Sequence, residues 1–406
     1  MNIKIIQPNL RFKEFSDNWE IKKFSDVATD FMYGLNAAAT TYNGRDKYIR
    51  ITDINDELNT YSPHPLTSPE GTLVDKFKLS VGDIVFARTG ASTGKSYIYD
   101  ENDGNLYFAG FLIKASIQKA NPHFIFYQTL IESYRRWIKI MSIRTGQPGI
   151  NAEEYKQLKM SCPSIKEQQK IASFLTSVDS KISQLTEKHR LLKEYKKGVM
   201  QQIFSQQLRF KDEDGKVFPE WESAKLSDVL LLQSDALKMK NDEKYELITV
   251  KRRFGGITSR GHFLGKDVLV KNQFTIHEDE FVISKRQIVH GACGLVPKEL
   301  EGAIVSNEYN VFRPVADKLD LDYFNRFSTT PYMRRSYFIN SDGVHIEKLL
   351  FKTQSWLKTK VDLPCLKEQQ KISLFLQSID KKIDAVEQQV EQTKQFKKGL
   401  LQQMFV

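Results

Sequence analysis

Eight residues, Thr89-Gly90-Ala91-Ser92-Thr93-Gly94-Lys95-Ser96, come near a phosphate-binding loop. That motif needs a glycine, four residues, then Gly-Lys-Ser/Thr opening a helix, so that backbone amides and the lysine cradle phosphate. Here Thr89 stands where the first glycine belongs, and Tyr97-Ile98-Tyr99 favours a strand. The stretch therefore reads as a glycine-rich turn in a β-domain, with Arg88 and Lys95 as candidate phosphate contacts. No Asn/Asp-Pro-Pro-aromatic run occurs, and no Gly-x-Gly-x-x-Gly follows a strand, so the usual cues for adenine methyl transfer and dinucleotide binding are missing. Seven histidines are scattered without ligand spacing. Cys162, Cys293 and Cys365 lie far apart, so neither a zinc site nor a disulfide framework is expected. A dispersed Asp, Glu, Lys nuclease trio stays open as the catalytic alternative.

The basic clusters say more. Lys251-Arg252-Arg253, with Arg260 downstream, follows a strand-like run and contains Gly255-Gly256. Lys285-Arg286, with His290, follows another such run, and we align it with Ala87-Arg88. Arg144 and Gln147 lie in the turn-rich Arg-Thr-Gly-Gln-Pro-Gly, and Arg334 closes a helical stretch. Arginine reads guanine edges through two hydrogen bonds and glutamine reads adenine, whereas lysine on phosphate adds affinity without sequence information. A formal net charge of +10 favours a polyanionic partner. No apolar stretch approaches the ~20 residues that span a bilayer. Met1–Pro8 lacks the apolar run of a signal peptide. The expectation is a cytoplasmic protein without a membrane partner.

These residues sit on a duplicated frame. Lys166-Glu167-Gln168-Gln169-Lys170-Ile171 recurs as Lys367-Glu368-Gln369-Gln370-Lys371-Ile372, and the offset of 201 holds to the chain end. Roughly half the positions in that stretch are identical. The front edge recurs too: Leu10-Arg11-Phe12-Lys13 and Trp19-Glu20 return as Leu208-Arg209-Phe210-Lys211 and Trp221-Glu222. The order is head, middle, helix, then head, middle, helix, with the middles diverged.

Each helical segment is proline-free and carries a seven-residue apolar repeat. Ile171, Val178, Leu185, Leu192 and Val199 form the first seam; Ile372, Ile379, Val386 and Leu400 form the second, with Thr393 interrupting it. Such a repeat suits a partner helix, and two matched seams imply an antiparallel coiled coil between them. The bland alternative is that each helix packs on its own globular domain. In the middles, Lys47–Ile54, Ile84–Ala87 and Ser96–Tyr99 read as strands and His123–Met141 as one helix. The second middle matches with Tyr245–Val250, Glu280–Ser284 and Ala303–Val305, then a helix over Leu321–Tyr337. The fold class is α+β. Globular domains are expected at 1–161 and 207–363, and helical regions at 162–206 and 364–406.

With both Pro-x-x-Lys-Glu-Gln-Gln-Lys-Ile starts, at Pro163 and Pro364, and the segments Tyr48–Ile54 and Gly82–Gly90, the chain resembles the specificity subunit of type I restriction–modification enzymes over essentially its whole length. The resemblance implies two target-recognition domains, each gripping one half of a split, asymmetric site in double-stranded DNA. It implies paired helices that space the halves and dock two methyltransferase (modification) subunits, with restriction translocase subunits joining the complex. S-adenosylmethionine, ATP and Mg²⁺ would belong to those partners, this chain binding no cofactor and no metal and catalysing nothing. Two rivals remain distinguishable: an enzyme would cut DNA alone with Mg²⁺, and a protein adaptor would show no salt-sensitive duplex binding.

Overall fold

The computed structural model describes residues 7–346 and 349–406. Met1–Ile6, most of the segment read for a leader, lie outside them. The chain divides into two compact units, one running to Glu187 and including Val386–Val406, the other Lys188–Ala385.

In the first unit an antiparallel four-stranded sheet has the spatial order Ala28–Tyr33, Leu112–Ile117, Asp83–Ala87, Ser96–Ile98. Lys47–Ile49 pairs in parallel with Leu106–Phe108, and Ala39–Thr41 pairs with Thr67–Pro69. Helices Pro122–Gln128 and Glu132–Met141 cover the sheet through Phe124, Ile125, Tyr127 and Tyr134, which share a core with Phe24, Ile84, Phe86 and Ile113. Glu20–Lys23 pairs with Lys159–Cys162, closing the domain just before the long helix Ile165–Phe204.

The second unit repeats this plan: Leu230–Gln233, Tyr309–Pro314, Phe281–Ser284 and Cys293–Leu295 form the matching sheet. Its second sheet is larger, five strands in the order Ala236–Leu237, Gln273–Thr275, Ile304–Ser306, Lys244–Val250, Ile257–Leu264. The last two strands form a hairpin whose tip carries Lys251-Arg252-Arg253. Glu222–Lys225 pairs with Lys360–Leu363 ahead of the helix Leu366–Gln403.

Three sequence expectations need correction. The stretch His123–Met141 is two helices. Ile131 is extended, and the Thr129 hydroxyl at the end of the first helix bonds both Phe126 O and the Ser96 hydroxyl of the sheet at 2.6 Å, which ties this end to the domain. Leu321–Tyr337 is likewise split into Leu321–Phe327 and Pro331–Ile339. Pro331 has no N–H to continue the ladder and holds Thr330 extended, where its hydroxyl caps Met333 N. The strand from Lys47 stops at Ile49 and gives way to a 3₁₀ turn, Ile51–Asp53. Asp53 accepts from the Arg50 backbone N–H (2.9 Å) and from the Arg50 guanidinium (2.8 Å), which closes the turn.

The repeated Glu-Gln pair explains why each helix starts where it does. Glu167, 1% exposed, accepts from Arg11 Nε and Nη2 at 2.7 Å each. Glu368, 0% exposed, accepts from Arg209 at 2.9 and 3.1 Å. The next residue ties the same corner to the domain. Gln168 donates to Pro163 O and accepts from Asn121 N, the cap of the first short helix. Gln369 donates to Pro364 O and Lys318 O and accepts from Asp320 N, the corresponding cap. A buried carboxylate persists only when paired and hydrogen-bonded.

The seams are buried as expected, except that Leu192 is half-buried. Within the first unit Ile171, Leu175 and Val178 share a core with Leu400, Leu401, Met404 and Phe405 of the other helix. Within the second, Val199 and Ile203 share one with Ile372, Leu376 and Ile379. Early residues of one helix therefore meet late residues of the other, and the pairing is antiparallel. Matching ion pairs set the register: Lys397 to Asp179 at 2.6 Å and Lys196 to Asp380 at 2.5 Å. Both readings of the seam hold together, because these same cores include each domain's own apolar residues.

Candidate nucleic-acid interface

In the first domain Arg88 leaves the end of the strand Asp83–Ala87. Its backbone N–H donates to Phe111 O (3.1 Å), and its carbonyl accepts from Ile150 N (2.9 Å). Its Nε donates to Gly110 O at 3.0 Å, and the guanidinium lies 4.8 Å from the Tyr33 ring centre and 5.9 Å from that of Phe111. Among the described residues no protein acceptor meets its two Nη groups. Gln147 is exposed and close to Gly90, whose φ of +77° is a backbone conformation that side-chain-bearing residues rarely adopt. The loop holding Gln147 is pinned by the Gly90 N–H on Pro148 O (2.9 Å).

Two other candidates carry structural duties. Lys95, mostly covered, has Nζ 2.6 Å from the Asp56 carboxylate. Arg144 grips Glu154 at 2.6 and 2.7 Å and donates to Met141 O and Ile143 O, clamping its loop to the domain.

In the second domain, Lys251, Arg252 and Arg253 are exposed at the hairpin tip. Arg253 and Phe254 both take left-handed backbone angles (φ +58° and +56°), and their N–H groups donate to His290 O and Gly291 O. The tip is thus fastened to the 3₁₀ turn Ile288–His290. Arg334 places its guanidinium 4.8 Å over the Phe254 ring, and its Nε donates to Thr329 O. Arg252, Arg253, Phe254, His290 and Arg334 line one cleft of 340 Å³. Arg260 is exposed on the adjoining strand, 6.0 Å from the Phe263 ring. Lys285 donates to Asn307 O (2.5 Å), and Arg286 donates to Glu308 at 2.6 Å.

The two domains superpose in backbone logic, at an offset of 197 through the sheet and 201 from Ile150 onward. Arg88 N on Phe111 O corresponds to Lys285 N on Glu308 O, and Ile150 N on Arg88 O to Phe351 N on Lys285 O. Arg88 therefore matches Lys285, one residue before the Arg286 that charge pairs with it. Basic residues were matched by charge where the strand ladder sets the register. The sheet's offset carries Gly82-Asp83 onto Asp279-Glu280. Gly82 and Asp279 share a positive φ (+94° and +61°), and Asp83 and Glu280 are buried acids accepting from Ser80 N and His277 N. Glu278-Asp279-Glu280-Phe281 stands where the first domain has Val81-Gly82-Asp83-Ile84, differing in residue type and not in register.

Sequence reasoning missed Tyr33, Phe111 and Phe254, the rings beside the candidate arginines. A lone aromatic in a divergent loop carries no periodic signal. Among the described residues no group of three or more metal-ligating side chains converges, and no helix is long and apolar enough to cross a membrane. Cys162 and Cys293 are buried, and burial pushes their thiols up to about 11 and about 12.

A model of the type I restriction modification DNA specificity domain matches this chain twice, over residues 16–194 and 219–395. The chain belongs to that family. Members are specificity subunits: they recognise DNA sequence for a restriction–modification complex and are not themselves catalysts. A putative specificity subunit of the type I restriction enzyme MjaX of Methanocaldococcus jannaschii is 24% identical over 96% of this chain and 93% of its own length. The specificity subunit of the MjaVIII enzyme from the same organism is 25% identical over 76% of this chain and 79% of its own. Among solved structures, the S subunit of a type I system from M. genitalium superposes with a TM-score of 0.59 at 15% identity, covering 99% of both chains. A chain from a study of type I complex assembly gives 0.52 at 14% identity, covering 96% of this chain and 97% of its own. Both likenesses concern the fold. In this specificity subunit the repeat seen in sequence and the two family matches describe the same duplication.

Proposed function

We propose that each recognition domain reads one half of a split, asymmetric DNA site. The observation that carries this is a pair of identical mounts under unlike surfaces. Arg11–Glu167 and Arg209–Glu368 fasten the two domains to their helices in the same way. The candidate contact surfaces differ: a single stacked Arg88 in one, a hairpin tip of three consecutive basic residues in the other. Identical mounts with identical surfaces would call for a symmetric site. Phosphate contacts anchor each domain and base contacts choose the word. Linking two modest binders raises affinity only when both engage, so the paired helices make binding depend on half-site spacing. Two methyltransferase subunits dock on this chain and bring S-adenosylmethionine and adenine methylation; translocase subunits bring ATP and Mg²⁺.

The test is adenine-methylation mapping of DNA from cells carrying this chain and its methyltransferase. The expected result is one bipartite, non-palindromic motif. A palindromic or contiguous motif would overturn the reading. In vitro, duplex binding should weaken steeply between low and moderate salt.

A further inference from the structure

We propose that one matched backbone position, Phe111 in the first domain and Glu308 in the second, decides which base each domain reads at that edge. The inference rests on the half-site reading above and names a residue within it. The two positions are equivalent by hydrogen bonding. Each offers its carbonyl to the N–H that follows the central strand, Arg88 in one domain and Lys285 in the other. The residue before each, Gly110 or Asn307, accepts from that same Arg88 or Lys285 side chain through its own carbonyl. Identical frames thus present opposite chemistry.

Phe111 is 61% exposed, so its ring is available to a partner. It lies beside the Arg88 guanidinium, whose Nε is held by Gly110 O and which also lies close to the exposed Tyr33 ring. A guanidinium fixed at Nε and flanked by rings presents its Nη groups as a fork, the geometry that meets guanine O6 and N7. An apolar ring next to that fork matches the C5-methyl of a neighbouring thymine. The first domain accordingly reads a guanine beside a thymine here.

Glu308 does the reverse. It accepts from Arg286 Nε at 2.6 Å, with its second oxygen 3.5 Å from Nη2. A carboxylate disfavours a neighbouring phosphate, so in this proposal the Glu308–Arg286 pair meets a base edge rather than the DNA backbone. Glu308 is a positioning residue: it aims Arg286 at a guanine and removes the apolar surface that a thymine methyl would meet.

The experiment selects bound duplexes from a randomised pool, using the full chain with its methyltransferase partner, for the unaltered chain, Phe111→Ala and Glu308→Gln. Phe111→Ala should lower the preference for thymine at one position of one half-site by about four-fold, the worth of one buried methyl-sized group, and leave the other half-site unchanged. Glu308→Gln should relax one guanine position in the other half-site only, and Arg286→Ala should relax the same position. Thermal unfolding of each variant checks folding, and both side chains are exposed enough for the fold to tolerate the change. A uniform loss of affinity across all sequences, or an unaltered selected word, overturns the inference. No sequence preference in the unaltered chain would instead sink the half-site reading on which it stands.

Discussion

Glu368 shows what one residue holds in place. It is fully buried, and its charge is matched by Arg209 alone among the described side chains. Breaking such a pair leaves an uncompensated buried charge, at a cost of roughly 3–5 kcal/mol. Glu368→Ala should therefore destabilise the second unit by about that amount in urea unfolding, and Glu167→Ala the first. Replacing both partners by apolar residues, Arg209→Met with Glu368→Leu, should cost much less, since it removes the charge requirement itself. Equal losses for the single and double variants would refute this account of the mount. A second residue gives a pH signature. His277 Nδ1 donates to the Glu301 carboxylate (2.7 Å) and its ring lies 3.3 Å from Asp235, and the Glu301 hydrogen bond raises its pKa above the ordinary imidazole value. A folded-state pKa above the unfolded one means stabilisation fully present below the unfolded pKa and lost as pH rises through the folded pKa. The stability gap between the native chain and His277→Gln should shrink across that window, upward from near pH 6.5. A gap that is flat, or that grows with pH, would count against the pairing.

At the scale of elements, the long helices were legible because a heptad is a strong periodic signal and both copies carry it. Leu185 and Val386 are each 5% exposed within the first unit. Changing both to Lys places two charges in a buried seam with no acceptor supplied. The expected outcome is unpairing of that stretch, read as a larger sedimentation radius and lost helical signal; an unchanged radius would mean the seam does not hold the helices. The breaks in the short helices were less legible. Pro331 was a visible cue, but no such cue stands at Ile131, which the chain nevertheless holds extended between two helices. The partners of the basic residues were not legible at all. Lys95 finds Asp56, Arg286 finds Glu308 and Arg144 finds Glu154 only after folding. A single sequence reports the cation, not the anion that the chain brings to it, which is why candidate cations drawn from sequence include residues held by carboxylates within the fold.

For the whole molecule, the duplication converts a mechanical property into a prediction about DNA. The two helices run 40 and 38 residues without interruption. At 1.5 Å per residue, seven added residues lengthen each by about 10 Å, close to three base-pair steps of 3.4 Å. Seven is the choice that keeps the apolar seam in phase; five would rotate it off its partner. Because the pairing is antiparallel, the insertion must be made in the middle of both helices, so that Asp179–Lys397 and Lys196–Asp380 both survive. If the helices act as the spacer, methylation mapping of this variant should return both original half-site words with a gap longer by about three base pairs. The same words with the original gap would show that spacing is set elsewhere. Altered words would show that the helices shape the recognition surfaces themselves, which the separate mounts at Glu167 and Glu368 argue against.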